Sequence, residues 1–143
     1  MGEKRIFAKF INPAMNVNEA WLYTVYTVPS GKKFLVKEIL LDVYHLNATY
    51  IDGVALYILK NGGVDFSTGA VNRPSVRERA GAEATPPDVV IEAELNAIGK
   101  VVLARNTVLE EGDAIKIIVD ADSANAPRNG DAKGCVLISG DEF

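Results

Sequence analysis

In several segments of this 143-residue sequence, apolar side chains recur at every second position. In the first such segment, residues 4–11, Ile6 and Phe10 share one face and Phe7 lies on the other. A period of two is that of a β-strand with one buried face, whereas an amphipathic helix repeats every 3.6 residues. The alternation therefore predicts a chain built from strands, with no helix.

About eight segments share this character, and they are rich in the aromatic and β-branched residues that favour a pleated backbone. Strands without crossover helices pair antiparallel and bury their faces against each other. We therefore predict an all-β fold, an antiparallel two-sheet sandwich of jelly-roll-like form, in a single domain covering 1–143. The predicted strands are 4–11, 21–28, 33–46, 54–59, 89–96, 100–105, 114–120 and 135–139.

Two sharp turns stand out between these segments. Val28–Phe34 contains Pro-Ser-Gly and is interpreted as a strand end, a tight turn and a returning strand, which makes a hairpin. Gly112–Asp113 is interpreted as the turn of a second hairpin. Val54–Leu59 is apolar on both faces and bounded by glycines, which predicts a central strand covered on both sides.

The charge balance argues against two kinds of partner. The chain has 15 Lys and Arg against 19 Asp and Glu, a net charge of −4. Nucleic acids and anionic membrane surfaces are bound chiefly through clustered cations. No apolar run approaches the ~20 residues of a membrane-spanning helix, and no secretory signal is expected. We therefore expect no nucleic-acid partner and no membrane partner.

The counts of cysteine and histidine disfavour metal and thiol chemistry. Cys135 is the single cysteine and lies in an apolar strand, so an inert, buried thiol is expected. His45 is the single histidine, and cupin-type metal centres need two or more imidazoles. We expect no cofactor, and we expect that the protein is not an enzyme.

Three further groups of residues were candidate sites for small ligands or catalysis. A calcium site would use an Asp-rich loop, although a solvated polar loop is the ordinary interpretation of such residues. Trp21 and Tyr23 share a strand face and could stack on a sugar, although strand aromatics usually belong to a core or an interface. Glu92 and Glu94 share a strand face and could act as paired carboxylates in acid–base catalysis, although we expect that face to meet solvent. The residues of the Asp-rich loop are Asp120, Asp122, Asn125 and Asp131.

Segments that lack the strand period are expected to contact a partner. Residues 62–88 form a long connection with arginines and acids among small residues, which orders only if a surface offsets its entropy. The N-terminal segment 1–18 raises the same expectation, since chain ends fray unless docked. The residues expected to make oligomer or capsid contacts are Arg5, Phe7, Phe10, Arg73, Arg77, Glu78 and Arg79.

Two parts of the chain also carry a family resemblance. Tyr26–Ile39 resembles the opening hairpin of β-sandwich proteins from tailed-phage virions, which include capsid decoration proteins, head fibres and tail accessory proteins. Thr107–Ile118, together with Gly134–Gly140, resembles the last strands of small jelly-roll modules. The resemblance covers less than a third of the chain. It implies a structural protein, commonly trimeric, on a capsid or tail surface, and it supplies no catalytic residue.

These observations lead to one main functional hypothesis and one alternative. The chain is expected to be a virion structural protein, made in the host cytoplasm. Its expected role is that of a capsid decoration protein, which forms homotrimers and binds the major capsid protein or other virion proteins to stabilise the shell. The alternative is a carbohydrate-binding or host-recognition module on a phage tail or head fibre.

Overall fold

Eight β-strands make up the described part of the chain, in a computed structural model that covers residues 2–62, 88–93 and 99–143. For residues 88–93 and 99–107 the structure gives the backbone course alone. No helix in the described residues is long and apolar enough to cross a membrane. The strands are β1 (Gly2–Ile11), β2 (Ala20–Thr27), β3 (Phe34–Leu46), β4 (Ile51–Leu59), β5 (Asp88–Ala93), β6 (Gly99–Leu109), β7 (Ala114–Ala121) and β8 (Ala132–Glu142).

The strands form two four-stranded antiparallel sheets. The first sheet has the order β1-β8-β3-β6, and the second has the order β2-β7-β4-β5. Only β4 and β5 are consecutive in the chain and adjacent in one sheet, so every other connection crosses between the sheets. This is the strand order of a jelly-roll sandwich, and it confirms the predicted fold class.

The two predicted hairpins are wrong, although both turns are where the sequence places them. β2 pairs with β7 in the second sheet, whereas β3 pairs with β6 and β8 in the first. The turn at Gly112–Asp113 likewise joins strands of opposite sheets. The two crossover turns bond to each other, because Val28 N donates to Asp113 O at 2.9 Å and Gly112 N donates to Val28 O at 3.0 Å. The residues of a turn reverse the direction of the chain, but they do not determine which strand the following strand pairs with.

The core fills the space between the inward faces of the two sheets. Ile39 and Ile138 of the first sheet and Ile117 of the second are all inaccessible to solvent. On the inward face of β8, Gly134 and Gly140 leave room for aromatic rings. A Cβ atom added at Gly134 would lie 2.6 Å from the Phe10 ring, and one at Gly140 would lie 2.6 Å from the Phe34 ring. The glycines therefore let the two large rings lie close against β8.

The outward side of the second sheet is also buried at its centre. Tyr57 and Ile118 are inaccessible to solvent, and Ala20 and Ala55 pack with them in a second, smaller apolar cluster. β4 lies between β7 and β5, so it is a central strand with buried residues on both faces, as predicted.

Asn12 anchors the N-terminal segment within the sandwich. Its side chain is fully buried, its Oδ1 accepts from Ala132 N at 2.7 Å, and its Nδ2 donates to Arg128 O at 3.1 Å. Upstream of Asn12, β1 pairs with β8 along its whole length. Within segment 1–18, which is expected to be a contact arm, residues 2–11 form an edge strand, and Asn12 holds the connection that follows it against the sandwich. Its contact with another molecule stays a prediction.

Candidate interaction surface

The outward side of edge strand β1 carries a large exposed ring. Alternation turns Ile6 and Phe10 inward, and Arg5, Phe7 and Lys9 outward. Phe7 is 59% exposed, the highest value among the large apolar residues that the structure describes as exposed. The Phe7 side chain faces water on an edge strand and contributes nothing to the core. It therefore marks a place where another molecule can bind.

Phe7 belongs to an apolar row that crosses three strands of the first sheet. The antiparallel register places Phe7 opposite Leu137 of β8, and Leu137 opposite Leu40 of β3. Leu137 and Leu40 are half-buried, and both face outward because their sequence neighbours Ile138 and Ile39 point into the core. The row is therefore continuous across β1, β8 and β3.

Charged residues flank this row on both sides, with cations at its β1 end and anions at its β3 end. On β1, the cations Arg5 and Lys9 lie one row above and one row below Phe7. On β3, the anions Glu38 and Asp42 occupy the same two rows, separated from the cations by β8. We call this surface the outer face. It consists of Arg5, Phe7, Lys9, Leu137, Glu38, Leu40 and Asp42.

The charges of the outer face have few partners within the chain. Arg5 Nε lies 3.5 Å from a carboxylate oxygen of Glu3, and both side chains are strongly exposed. An exposed pair of this kind contributes little, typically ~0–1 kcal/mol. Within the residues that the structure describes, no ion pair involves Lys9, Glu38 or Asp42. These three charges therefore have no ion pair among the described residues, although the register places Asp42 opposite Lys100 of β6.

The structure brings only part of the expected contact set together. Arg5 and Phe7 lie side by side on the outer face, as strand neighbours two positions apart. Phe10 lies on the opposite face, 2% exposed and packed in the core, so its side chain is not part of any surface. The remaining residues of that set lie outside the described residues: Arg73, Arg77, Glu78 and Arg79.

Trp21 and Tyr23 share a strand face, and the structure shows which face that is. Trp21 is opposite Val119 and Tyr23 is opposite Ile117, and both of these partners belong to the core. The two rings stack on each other, with centroids 5.5 Å apart and planes inclined by 24°. Both are half-buried on the inward side of edge strand β2, so each ring already uses one face for packing.

The Asp-rich loop after β7 uses its carboxylates to hold its own backbone. Asp122 accepts from Ala124 N and Asn125 N, each at 2.8 Å, and these donors hold the pKa of its carboxyl below the ordinary value. Asp131 accepts from Arg128 N at 2.7 Å. Asp120 is buried and has its own interaction, so the carboxylates described in this loop are used within the fold.

The remaining candidates give no cluster of catalytic or ligating groups. No group of three His, Cys, Asp or Glu in the described residues is placed to hold a metal ion. His45 is exposed near the end of β3, and Cys135 is half-buried on β8. The side chains of Glu92 and Glu94 lie outside the part that the structure describes.

A polar contact between the sheets has no signal in the sequence pattern. Tyr26 of β2 donates its hydroxyl to Glu142 Oε2 at 2.8 Å, and Lys4 of β1 donates to the same oxygen at 2.9 Å. Burial, reinforced by the bond to Glu142, raises the pKa of Tyr26 well above its usual range. The bonds from Lys4 and Tyr26 hold the pKa of Glu142 below its ordinary value. The three residues join the edge strands of the two sheets.

The fold defines the chain as a jelly-roll β-sandwich with one polarised, partly apolar sheet face. No protein-family model matches it, and no curated protein does. Among solved structures, it is similar to a chain of the cyanophage Pam1 capsid asymmetric unit, with 19% sequence identity and a TM-score of 0.44. The alignment covers 96% of this chain and 83% of that chain.

Proposed function

We propose that this chain is a virion structural protein, and more specifically a capsid decoration protein with no catalytic role. Jelly-roll sandwiches occur in viral capsid and lectin domains, but a fold hosts many functions, so the proposal needs a site. The observation that carries it is the outer face, where the exposed Phe7 ring lies between the cations Arg5 and Lys9, with the anions Glu38 and Asp42 across β8.

The composition of this surface suits a protein partner better than a small ligand. Protein interfaces concentrate their binding energy in a few aromatic anchors, surrounded by polar groups that exclude water. Phe7 has that position, with Arg5 and Lys9 on either side of it along β1. Small-molecule sites are concave, whereas these residues lie on the outward face of a sheet.

Decoration would stabilise a shell through binding alone. A protein that bridges adjacent capsid subunits binds only the assembled shell, and binding to one state stabilises that state by mass action. We propose that the protein acts as a homotrimer, because three linked copies of the outer face would bind a shell with much greater avidity than one. The major capsid protein or another virion protein would be the partner, and synthesis would take place in the host cytoplasm.

The proposal is tested with purified protein and shells of the source particle prepared without it. We expect the protein to cosediment with the shells, to saturate at a fixed ratio to capsid subunits, and to raise the temperature at which the shells open. Light scattering of the free protein reports the number of copies. Failure to bind the shells, together with an unchanged opening temperature, would contradict the proposal.

The alternative is a carbohydrate-binding or host-recognition module on a tail or head fibre. The observation that favours it is the stacked pair Trp21 and Tyr23, whose rings are only half-buried. Aromatic rings stack on sugars, so a glycan array is the appropriate measurement. Saturable binding that is lost in Trp21→Ala, with the unfolding transition retained, would favour this alternative over decoration.

A further inference from the structure

We propose that the outer face binds the outer face of a second copy of this chain, about a twofold axis that runs parallel to β8. The inference concerns the chain in solution and does not depend on the proposed function. It rests on the arrangement of charge and apolar surface over β1, β8 and β3, whose order and register are given by the sheet.

The geometry follows from the position of β8 between the other two strands. When two copies of a sheet face each other about an axis parallel to the middle strand, the flanking strands exchange places. β1 of one copy then faces β3 of the other, and β8 faces itself. Because rotation about this axis preserves position along the strands, every row stays opposite the same row of the second copy.

This exchange pairs the charges of opposite sign. Arg5 and Glu38 share one row, since both are opposite Ser139 of β8. Lys9 and Asp42 share another row, since both are opposite Cys135. In the paired arrangement, Arg5 therefore faces Glu38 of the second copy, and Lys9 faces Asp42 of the second copy. The twofold symmetry repeats both pairs, which gives four complementary contacts.

The same operation joins the apolar rows. Phe7 faces Leu40 of the second copy, and Leu137 faces its own equivalent on the axis. Packed sheets lie about 10 Å apart, a distance that side chains of this size fill by interdigitating. The 59% of Phe7 that is exposed in the single chain would be covered against leucine.

The charge pattern also selects this axis over the alternative. An axis perpendicular to β8 in the plane of the contact would keep each strand opposite itself and exchange the rows. Arg5 would then face Lys9 of the second copy, and Glu38 would face Asp42. Like charges placed opposite each other disfavour an interface, so of these two orientations the face is complementary to itself only in the first.

A twofold contact is compatible with the trimer proposed above, but it covers the outer face, so one copy cannot bind a second copy and a capsid through that face at the same time. The inferred pair is therefore the state in solution, and binding to a shell would have to open it. A closed threefold ring joins two different patches, whereas a twofold contact joins one patch to itself. Both can therefore occur in one assembly, and the present inference predicts an even number of copies in solution.

The test combines charge reversal with compensation and uses sedimentation equilibrium. The wild-type chain is expected to form an assembly with an even number of copies. The double variant Glu38→Lys, Asp42→Lys should weaken the twofold step roughly tenfold or more, because all four contacts become repulsive. Adding Arg5→Glu and Lys9→Glu to that variant restores complementarity and should restore the assembly. All four side chains lie on the surface, and a far-UV spectrum with the unfolding midpoint confirms that each variant is folded.

A second measurement on the wild-type chain keeps the inference testable if the quadruple variant is unstable. Cys135 lies on β8, so its two equivalents face each other near the axis. A short bis-maleimide should therefore link two chains in high yield, and the yield should fall in Glu38→Lys, Asp42→Lys. A wild-type chain that sediments as a single copy, or an assembly unaffected by that variant, would overturn the inference.

Discussion

Tyr26 and Glu142 join the two sheets at their open edge, with the phenol donating to the carboxylate at 2.8 Å. Tyr26 also packs edge-to-face on Phe34, with 5.2 Å between the ring centroids. Lys4 Nζ lies 5.1 Å from the centroid of the Tyr26 ring. One side chain of the second sheet thus contacts three residues of the first. The edge strands β1 and β2 belong to different sheets and do not pair with each other.

The first prediction concerns this contact. Tyr26→Phe removes the hydroxyl but keeps the ring on Phe34. Any loss of stability in this variant therefore measures the hydrogen bond from Tyr26 to the Glu142 carboxylate. Such a bond contributes about 1–2 kcal/mol, since Lys4 remains as a partner of Glu142. We expect urea unfolding to show a decrease of that size in the free energy of unfolding. Tyr44→Phe is the matched control, because Tyr44 is 48% exposed and should leave the unfolding curve unchanged.

The second prediction concerns acid. Burial alone would raise the pKa of Asp113, but hydrogen bonds from Asn61 N and Glu110 N, with Lys60, outweigh it and hold the pKa below the ordinary value. A carboxyl whose pKa is lowered on folding stabilises the fold above its unfolded pKa of about 4, and this stabilisation is lost as the pH falls through the folded pKa. The pKa values of Glu142 and Asp122 are also lowered, so their effect has the same sign.

We therefore expect the free energy of unfolding to fall between about pH 5 and pH 2. Asp113→Asn keeps the shape of the side chain and removes its charge. It should destabilise the protein by about 1–3 kcal/mol at pH 7, and the difference from wild type should shrink as the pH approaches 2. A difference that stays constant across this range, measured by denaturant titration at each pH, would contradict the explanation.

The third prediction concerns the packing of Phe10 on β8. In Gly134→Ala, the new methyl group would meet the backbone oxygen of Asp42 on β3 and the Phe10 ring, so the ring or the strands must move. Such overpacking costs about 1–3 kcal/mol, and calorimetry should show a lower melting temperature. Gly2→Ala is the control, since its nearest contact would be 3.9 Å away, from Glu142 O. Equal melting temperatures for the two variants would show that β8 tolerates a side chain here.

The strand period predicted the fold class well, because each strand reports its own alternation. Each of the eight predicted segments coincides with a strand over its described residues, and the alternation of Ile6, Phe7 and Phe10 already places the two phenylalanines on opposite faces. The pattern could not say which face meets the core, since that depends on the pairing with β8. Phe10 was therefore grouped with Phe7 as a contact residue, although it is buried.

Contacts between distant parts of the chain could not be predicted from the sequence. Tyr26 and Glu142 are 116 positions apart, and neither has a local pattern that indicates the other. The rows of the outer face likewise require the register of three strands, because Phe7, Leu40 and Leu137 are far apart in the chain. The crossover turns show the same limit, as a turn of proline and glycine serves a hairpin and a sheet-to-sheet connection equally well.

The central claim is that the outer face, through Phe7, is the surface by which this protein binds a capsid. The most direct measurement is the dissociation constant for shells that lack the protein, compared between Phe7→Asp and Val17→Asp. Both variants replace an exposed apolar residue with a charge, but Val17, 38% exposed, lies in the connection between β1 and β2. The account predicts that Phe7→Asp weakens binding about 30-fold or more, as expected for an aromatic anchor, while Val17→Asp binds like wild type. Equal affinity of Phe7→Asp and wild type for the shells would contradict it.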